Sequence, residues 1–333
     1  MRIVSLLPSA TELVGLVGAG DRLVGRSHEC DHCPGLDPAE LAALPPLTAQ
    51  RTSYNPSAGS DAAAIDAEVS ASLAAGQSLY RLDTDALAAL EPDVILTQDL
   101  CDVCSIDLET VRAAAAAMPS RPRVVSLNAE SMEEVLDDIL RVGEAVDRQA
   151  EASAALVRLR HRLTRAQEYV NAYVEGPSLA FLEWTDPLFC GGHWTPQLIE
   201  RAGAQHPLNP TVPAENAGAA SGMQQGERRA GKSVRVPHEL LIATQPGAIV
   251  VCPCGLTLAQ TEDAVRRDLE TRAWWHELPA VRSGRVALVD GNQMFNRPGP
   301  RLVDAFEWLV GWLQVRPALI PEGFPWKPWS AAP

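Results

Sequence analysis

No stretch of this 333-residue chain approaches the ~20 consecutive apolar residues that span a bilayer, so no membrane-crossing helix is expected. Nothing at its start resembles a secretory leader: Met1-Arg2-Ile3-Val4 runs directly into a strand pattern, with no small-residue cleavage site after it. Read this way, the chain is cytoplasmic, or periplasmic if a leader was removed. Basic charge is also scarce. The formal net charge is −14, from 28 Lys and Arg against 42 Asp and Glu. Nucleic-acid affinity comes from clustered cations that displace counterions, so a nucleic-acid partner is excluded. The nearest thing to a basic cluster, Arg158, Arg160, Arg162 and Arg165, lies in a helical run amid acids and reads as a solvated face. There is no G-x-S-x-G elbow, no P-loop and no G-x-G-x-x-G. Acyl transfer, nucleotide hydrolysis and dinucleotide redox therefore lack support, and binding is expected rather than catalysis. The seven cysteines are odd in number, in a chain too large to depend on disulfide staples, and read as thiols available to metals.

What the sequence does contain is one arrangement repeated five times, a short apolar β-branched run that stops in a cluster of ligand-type residues. Residues 22–27 lead into His28-Glu29-Cys30-Asp31, and residues 93–97 lead into Gln98 and the pair Cys101 and Cys104. Residues 178–182 lead into Glu183-Trp184, residues 248–251 into Cys252-Pro253-Cys254-Gly255, and residues 285–289 into Asp290. Ligands of α/β proteins collect beyond the carboxyl ends of the strands, so the five clusters point to one cleft.

The order of elements repeats. Helix, Pro turn, buried strand, cluster, strand and helix occur once over residues 87–145 and again over residues 240–313. This predicts an α/β fold of two similar Rossmann-like lobes, each with a parallel sheet, and a ligand cleft between them. The expected domains are an N-terminal lobe over 1–146 and a linking long helix over 147–174. A C-terminal lobe follows over 175–316, with a mobile insertion at about 208–233, and an extended tail over 317–333.

Each cluster suggests its own chemistry. Ser9-Ala10-Thr11-Glu12 reads as a capping box that opens the first helix. His28 and Cys30 combine imidazole and thiol, and Cys101-x-x-Cys104 has the spacing of a metal half-site. With His193 and Cys254 they make a candidate set for Zn, Fe or Co. Buried structural thiols are an equally good account of the cysteines, and a hydrogen-bonded structural histidine of His193. Thr195 reads as an N-cap with Pro196 at the first helical position. Trp184, Phe189 and Trp194, on a loop that should avoid large apolar surface, suggest a wall for a flat ring system, with packing between the lobes as the alternative. Phe295 and Tyr80 are candidates for the same wall, and Arg297 presents a planar fork for a polar substituent or, equally well, for an ion pair between the lobes.

These residues also carry a resemblance. Residues 2–12, the run Leu90-Glu91-Pro92-Asp93-Val94-Ile95-Leu96, the long central helix and residues 296–304 resemble the helical-backbone (class III, TroA-like) periplasmic-binding-protein superfamily of cobalamin and iron-siderophore import. The cobalamin-binding-protein-like branch is the nearest. Its members look like His28-Glu-Cys-Asp31, Thr97-Gln-x-Leu-Cys-x-Val-Cys104, Asp186-Pro-x-Phe-x-Gly-Gly-His-Trp194 and Phe295-Asn-Arg-Pro-Gly-Pro300. The resemblance covers about residues 1–315. It implies a two-lobed binding protein for cobalamin, another corrinoid or a similar metal-containing tetrapyrrole. It also implies an ABC permease partner docked through one acid on each lobe, although no motif assigns those acids. The alternative from the residues alone is a cytoplasmic metal-thiolate protein, either a metal carrier or a metal-dependent enzyme.

Overall fold

The computed structural model describes residues 1–51, 61–75, 78–99, 106–171, 173–214 and 228–330. The chain divides into two compact units. The described residues of Met1–Tyr54, Ala67–Arg160 and Pro298–Pro300 form one, and those of Asn55–Asp66, His161–Arg297 and Arg301–Pro333 form the other.

In the first unit the elements run β1 (Ile3–Ser5), α1 (Pro8–Leu16), β2 (Leu23–Arg26), α2 (Pro38–Ala43), β3 (Thr48–Gln50), α3 (Ala62–Ala74, whose first five residues belong to the second unit) and β4 (Tyr80–Leu82). They continue with α4 (Thr84–Ala89), β5 (Val94–Thr97), α5 (Leu108–Ala117), β6 (Arg123–Ser126) and α6 (Met132–Ala145). The chain then enters α7 (Gln149–Gln167), which carries it from the first unit to the second. Four strands form a parallel sheet in the order β2-β1-β5-β6, and β3 and β4 pair separately as an antiparallel ribbon. A parallel sheet must be covered on both faces, and the buried runs Ile3-Val4 and Val94-Ile95-Leu96 match that requirement. One core layer gathers Val4, Leu47, Leu87, Ile95 and Val111. Each fully buried aliphatic side chain there contributes about 1.5–3 kcal/mol. Ser131 caps α6, its hydroxyl accepting from the Glu134 N–H at 3.3 Å.

The second unit holds β7 (Leu179–Thr185), β8 (Leu188–Cys190), α8 (Trp194–Arg201), β9 (Val212–Pro213), β10 (Arg228–Arg229), β11 (Val234–Arg235) and α9 (His238–Ala243). Next come β12 (Ala248–Val251), α10 (Leu258–Ala264), α11 (Ala273–Glu277), α12 (Pro279–Arg282), β13 (Val286–Val289), α13 (Arg301–Leu313) and β14 (Trp326–Pro328). Its six-stranded sheet has the order β11-β8-β7-β12-β13-β14. Leu182, Ile249, Val251, Leu288 and Trp275 fill one side of it.

The two-lobed α/β architecture matches the sequence-based expectation, with five corrections of detail. The second sheet is mixed rather than parallel: β7, β12 and β13 are parallel, β8 and β14 run antiparallel to them, and β11 pairs antiparallel with β8. The extended tail past Pro317 holds a strand that no period in the sequence announced, because Trp326–Pro328 pairs with β13 as the edge of the sheet, and Trp329 is buried. The Ser9–Glu12 capping box does not form, because Pro8 already supplies a fixed φ at the first helical position and Leu7 is the cap, with no side-chain bond. Trp194 rather than Pro196 begins α8, so the cap is His193, with φ of 53°. The central helix is also shorter than the 147–174 segment expected: α7 covers 19 residues, and Asp147, at φ 55°, breaks the chain just before it. Of the predicted insertion, residues 215–227 lie outside the described residues.

Candidate functional site

In the first unit the polar residues gather beyond β2 and β5. The Ser27 N–H donates to the Ser5 carbonyl at 2.8 Å, extending the pairing of β1 and β2 by one residue. His28 is then held at two points by a single hydroxyl. Its backbone N–H lies 3.1 Å and its ring Nδ1 2.7 Å from Thr48 Oγ1, which itself donates to Ser27 Oγ at 3.0 Å. The ring lies 5.7 Å from that of half-buried Tyr80, tilted by 50°. Burial, and then the charge of Arg26, push the imidazole pKa down, so His28 is neutral near pH 7. Its Nε2 is buried and has no hydrogen-bond partner among the described residues. Glu29 Oε1 lies 3.9 Å away, beyond bonding distance. Gln98 Oε1, beyond the end of β5, is likewise buried without a partner.

Cys30 is buried, and its sulfur accepts from Thr11 Oγ1 at 3.0 Å. Cys33 beside it is pushed up to about 11, first by burial and then by Cys30 and Glu12. Such a thiol stays protonated and packs as a small apolar group. Gly299 belongs to this unit and approaches α1 closely, since a Cβ there would lie 3.3 Å from Glu12 Oε2. The Cys101 and Cys104 pair lies outside the described residues.

In the second unit Trp184 and Phe189 face each other across the β7–β8 pair, both half-buried. Cross-strand aromatic neighbours of this kind form one continuous apolar face. The Trp184 indole N–H donates to the Ala62 carbonyl at 3.0 Å, which fixes the ring plane. Glu183, next to it, accepts from Ser233 Oγ. Trp194 and Phe295, predicted to stand on the same wall, are instead buried. Trp194 is 5% exposed, and its indole N–H donates to the Phe295 carbonyl at 2.6 Å. Phe295 is 1% exposed, 4.9 Å from the Phe181 ring and 5.9 Å from that of Trp308. Both are core residues of the second unit. Arg297 is buried and donates to Asn292 Oδ1 at 3.0 Å. Asp290, at the end of β13, accepts from the Leu258 and Gln293 backbone N–H groups and so fixes two turns.

The metal candidates of this unit do not resemble a centre. His193 stacks on Trp194 at 5.6 Å. Cys254 is exposed, while Cys252, whose thiol burial raises well above its ordinary value, is fully buried under Asn296. No group of three or more His, Cys, Asp or Glu able to hold a metal ion occurs among the described residues.

Two cavities accompany these elements. One, of about 510 Å³, lies along the β3–β4 ribbon beside Thr48, Arg81 and Asp83. The other, of about 500 Å³, lies at the tip of the β7–β8 hairpin, lined by Asp186, Arg235, His238, Arg272 and Trp274. Sequence reading missed this second group, because its members come from β11, α9 and the turn before α11, which share no motif. Thr48 was missed for the same reason, lying 20 residues from the histidine that it orients.

A sequence profile described as "Periplasmic binding protein" matches residues 3–292. The chain belongs to this family. Among curated protein sequences nothing matches it. Solved structures agree in fold. The periplasmic vitamin B12 binding protein of Vibrio cholerae is 19% identical, with a TM-score of 0.63 over 95% of this chain and 97% of its own. A periplasmic heme-binding protein from Pseudomonas aeruginosa is 20% identical, with a TM-score of 0.64 over 99% and 95%. An ABC transporter substrate-binding protein from Listeria monocytogenes is 17% identical, with a TM-score of 0.62 over 94% and 98%. At these identities the likeness shows the shared fold, and the family sets the type of activity as ligand binding. Relatives named as periplasmic fit the periplasmic alternative and give the cytoplasmic one no support. No described helix of this family member is long and apolar enough to cross a membrane.

Proposed function

We propose that this protein binds a metal-containing tetrapyrrole, a corrinoid or a haem-type porphyrin, and delivers it to an ABC permease. The observation that carries the reading is the half-buried Trp184–Phe189 pair at the carboxyl end of β7. An indole held in one plane by its bond to Ala62 loses little freedom on stacking, so it suits a rigid flat ligand. Relatives of the same fold named for vitamin B12 and for heme support this ligand class, and one named for an ABC transporter supports the partner.

The test is a titration with hydroxocobalamin and with hemin, followed by visible absorbance and by tryptophan fluorescence. Binding with quenching is expected for at least one of the two, and Trp184→Ala and Phe189→Ala should each weaken it about tenfold. No change in either signal at high micromolar ligand would remove the proposal.

A further inference from the structure

We infer that Arg235 receives a propionate carboxylate of the ligand, so that the ring stacked on Trp184 and Phe189 is a porphyrin rather than an amide-bearing corrin. The inference rests on the tetrapyrrole reading above and adds to it the residue that distinguishes the two ring classes. Its ground is the register at one edge of the second sheet. Phe189 of β8 stands opposite Trp184 of β7 on one side and opposite Arg235 of β11 on the other. Directly opposed residues carry their side chains on the same face, so the three form one row of an indole, a phenyl ring and a guanidinium. Arg235 is exposed, and its side chain makes no hydrogen bond or ion pair among the described residues.

The hairpin-tip cavity of about 500 Å³ opens beside this row. Arg235 lines it together with Thr185 and Leu188, the next opposed pair, about 3.4 Å along the strands from Trp184 and Phe189. All of these residues belong to the second unit. Both carboxylates that line the cavity already face cations. Asp268 accepts from Arg267 at 2.6 and 2.8 Å and from Thr185 Oγ1 at 2.6 Å, and Asp186 lies 3.9 Å from Arg272. Arg235 is therefore a cation with no counter-charge among the described residues, on the rim of a space that a ring substituent can enter. A guanidinium presents two parallel N–H groups that match the two oxygens of a carboxylate. A porphyrin propionate supplies both oxygens and the negative charge, whereas a corrin amide offers one carbonyl oxygen and no charge. The bond acts once the ring is in place and so slows its dissociation, while the rate of encounter follows the longer-ranged charge of the whole molecule.

The test compares hemin, hemin dimethyl ester and hydroxocobalamin, followed by visible absorbance and tryptophan fluorescence, on the whole chain and on Arg235→Gln. The unaltered protein should bind hemin about tenfold tighter than the ester, whose propionates carry no charge. Arg235→Gln should erase that difference by weakening hemin alone, and Arg235→Lys, which keeps the charge without the fork, should restore part of it. Unchanged affinity for the ester also shows that the variant is folded. Hemin and ester bound alike by the unaltered protein, or weakened alike by Arg235→Gln, would overturn the assignment of Arg235 while leaving the tetrapyrrole reading in place. Binding of hydroxocobalamin with neither form of hemin would do the same. Failure of all three probes to bind the unaltered protein would overturn both.

Discussion

Asp138 shows how one buried carboxyl sets a pH dependence. It lies on α6 with 1% of its side chain exposed and accepts from Arg141 Nη1 at 2.9 Å. Burial raises its pKa from 3.8 to about 6, and Arg141 offsets only part of that. The native state therefore holds the proton more tightly than the unfolded chain. The resulting stabilisation is fully present below about pH 3.8 and is lost as pH rises through about 6. At pH 8 the carboxylate is a net liability on the order of 3 kcal/mol, from 1.36 kcal/mol per unit. Asp138→Asn should therefore be more stable than the unaltered protein at pH 8, and equal to it near pH 4. Urea unfolding at several pH values checks this, and an unchanged difference across the range would remove the argument. Single residues were also where sequence reading was least sure. Spacing placed Trp184, Phe189, Trp194 and Phe295 near one loop. The β7–β8 register sets Trp184 opposite Phe189, whereas Phe295 is held in the core by Phe181, far from it in sequence, and by Trp308.

Elements were easier to read, for a physical reason. Buried parallel strands such as Val94–Thr97 and Ala248–Val251 are unbroken apolar runs, and α6 has a capping serine and a regular apolar stripe. The edge strands β11 and β14 are two and three residues long, and only their partners make them strands. The arginines of α7 carry the same lesson. Expected to form a solvated face, they include Arg162, which pairs with Asp304 at 2.5 Å and with Glu307 at 2.5 and 3.1 Å on α13. Glu307 is buried, so removing its partner leaves a carboxylate whose remaining cation among the described residues is Arg165, at 3.8 Å. Arg162→Met should cost about 3 kcal/mol in urea unfolding, and Arg162→Met with Glu307→Gln should recover most of it, because the desolvated charge is then gone. Additive losses in the double variant would contradict this account.

At the scale of the whole molecule, the fold was legible because the repeated strand-to-cluster pattern and the resembling motifs run through nearly the entire chain, and residues 3–292 match the family profile. The ligand was less legible, because corrins and porphyrins call for similar flat apolar walls. Net charge separates them. The chain carries −14, and hemin brings two propionate carboxylates that are ionised at neutral pH, whereas the macrocycle of a cobalamin has amide side chains. Repulsion between a −14 protein and an anionic ligand acts over the Debye length, about 30 Å at 0.01 M salt and about 10 Å at 0.1 M. If hemin is the ligand, its association rate should rise severalfold between those two salt concentrations as the repulsion is screened. A neutral corrinoid should show almost no salt dependence over the same range. Stopped-flow quenching of tryptophan fluorescence measures both rates. A hemin rate that falls with salt would mean that a local cationic surface, such as Arg235 and Arg272 at the tip of the β7–β8 hairpin, outweighs the charge of the whole molecule at the point of encounter.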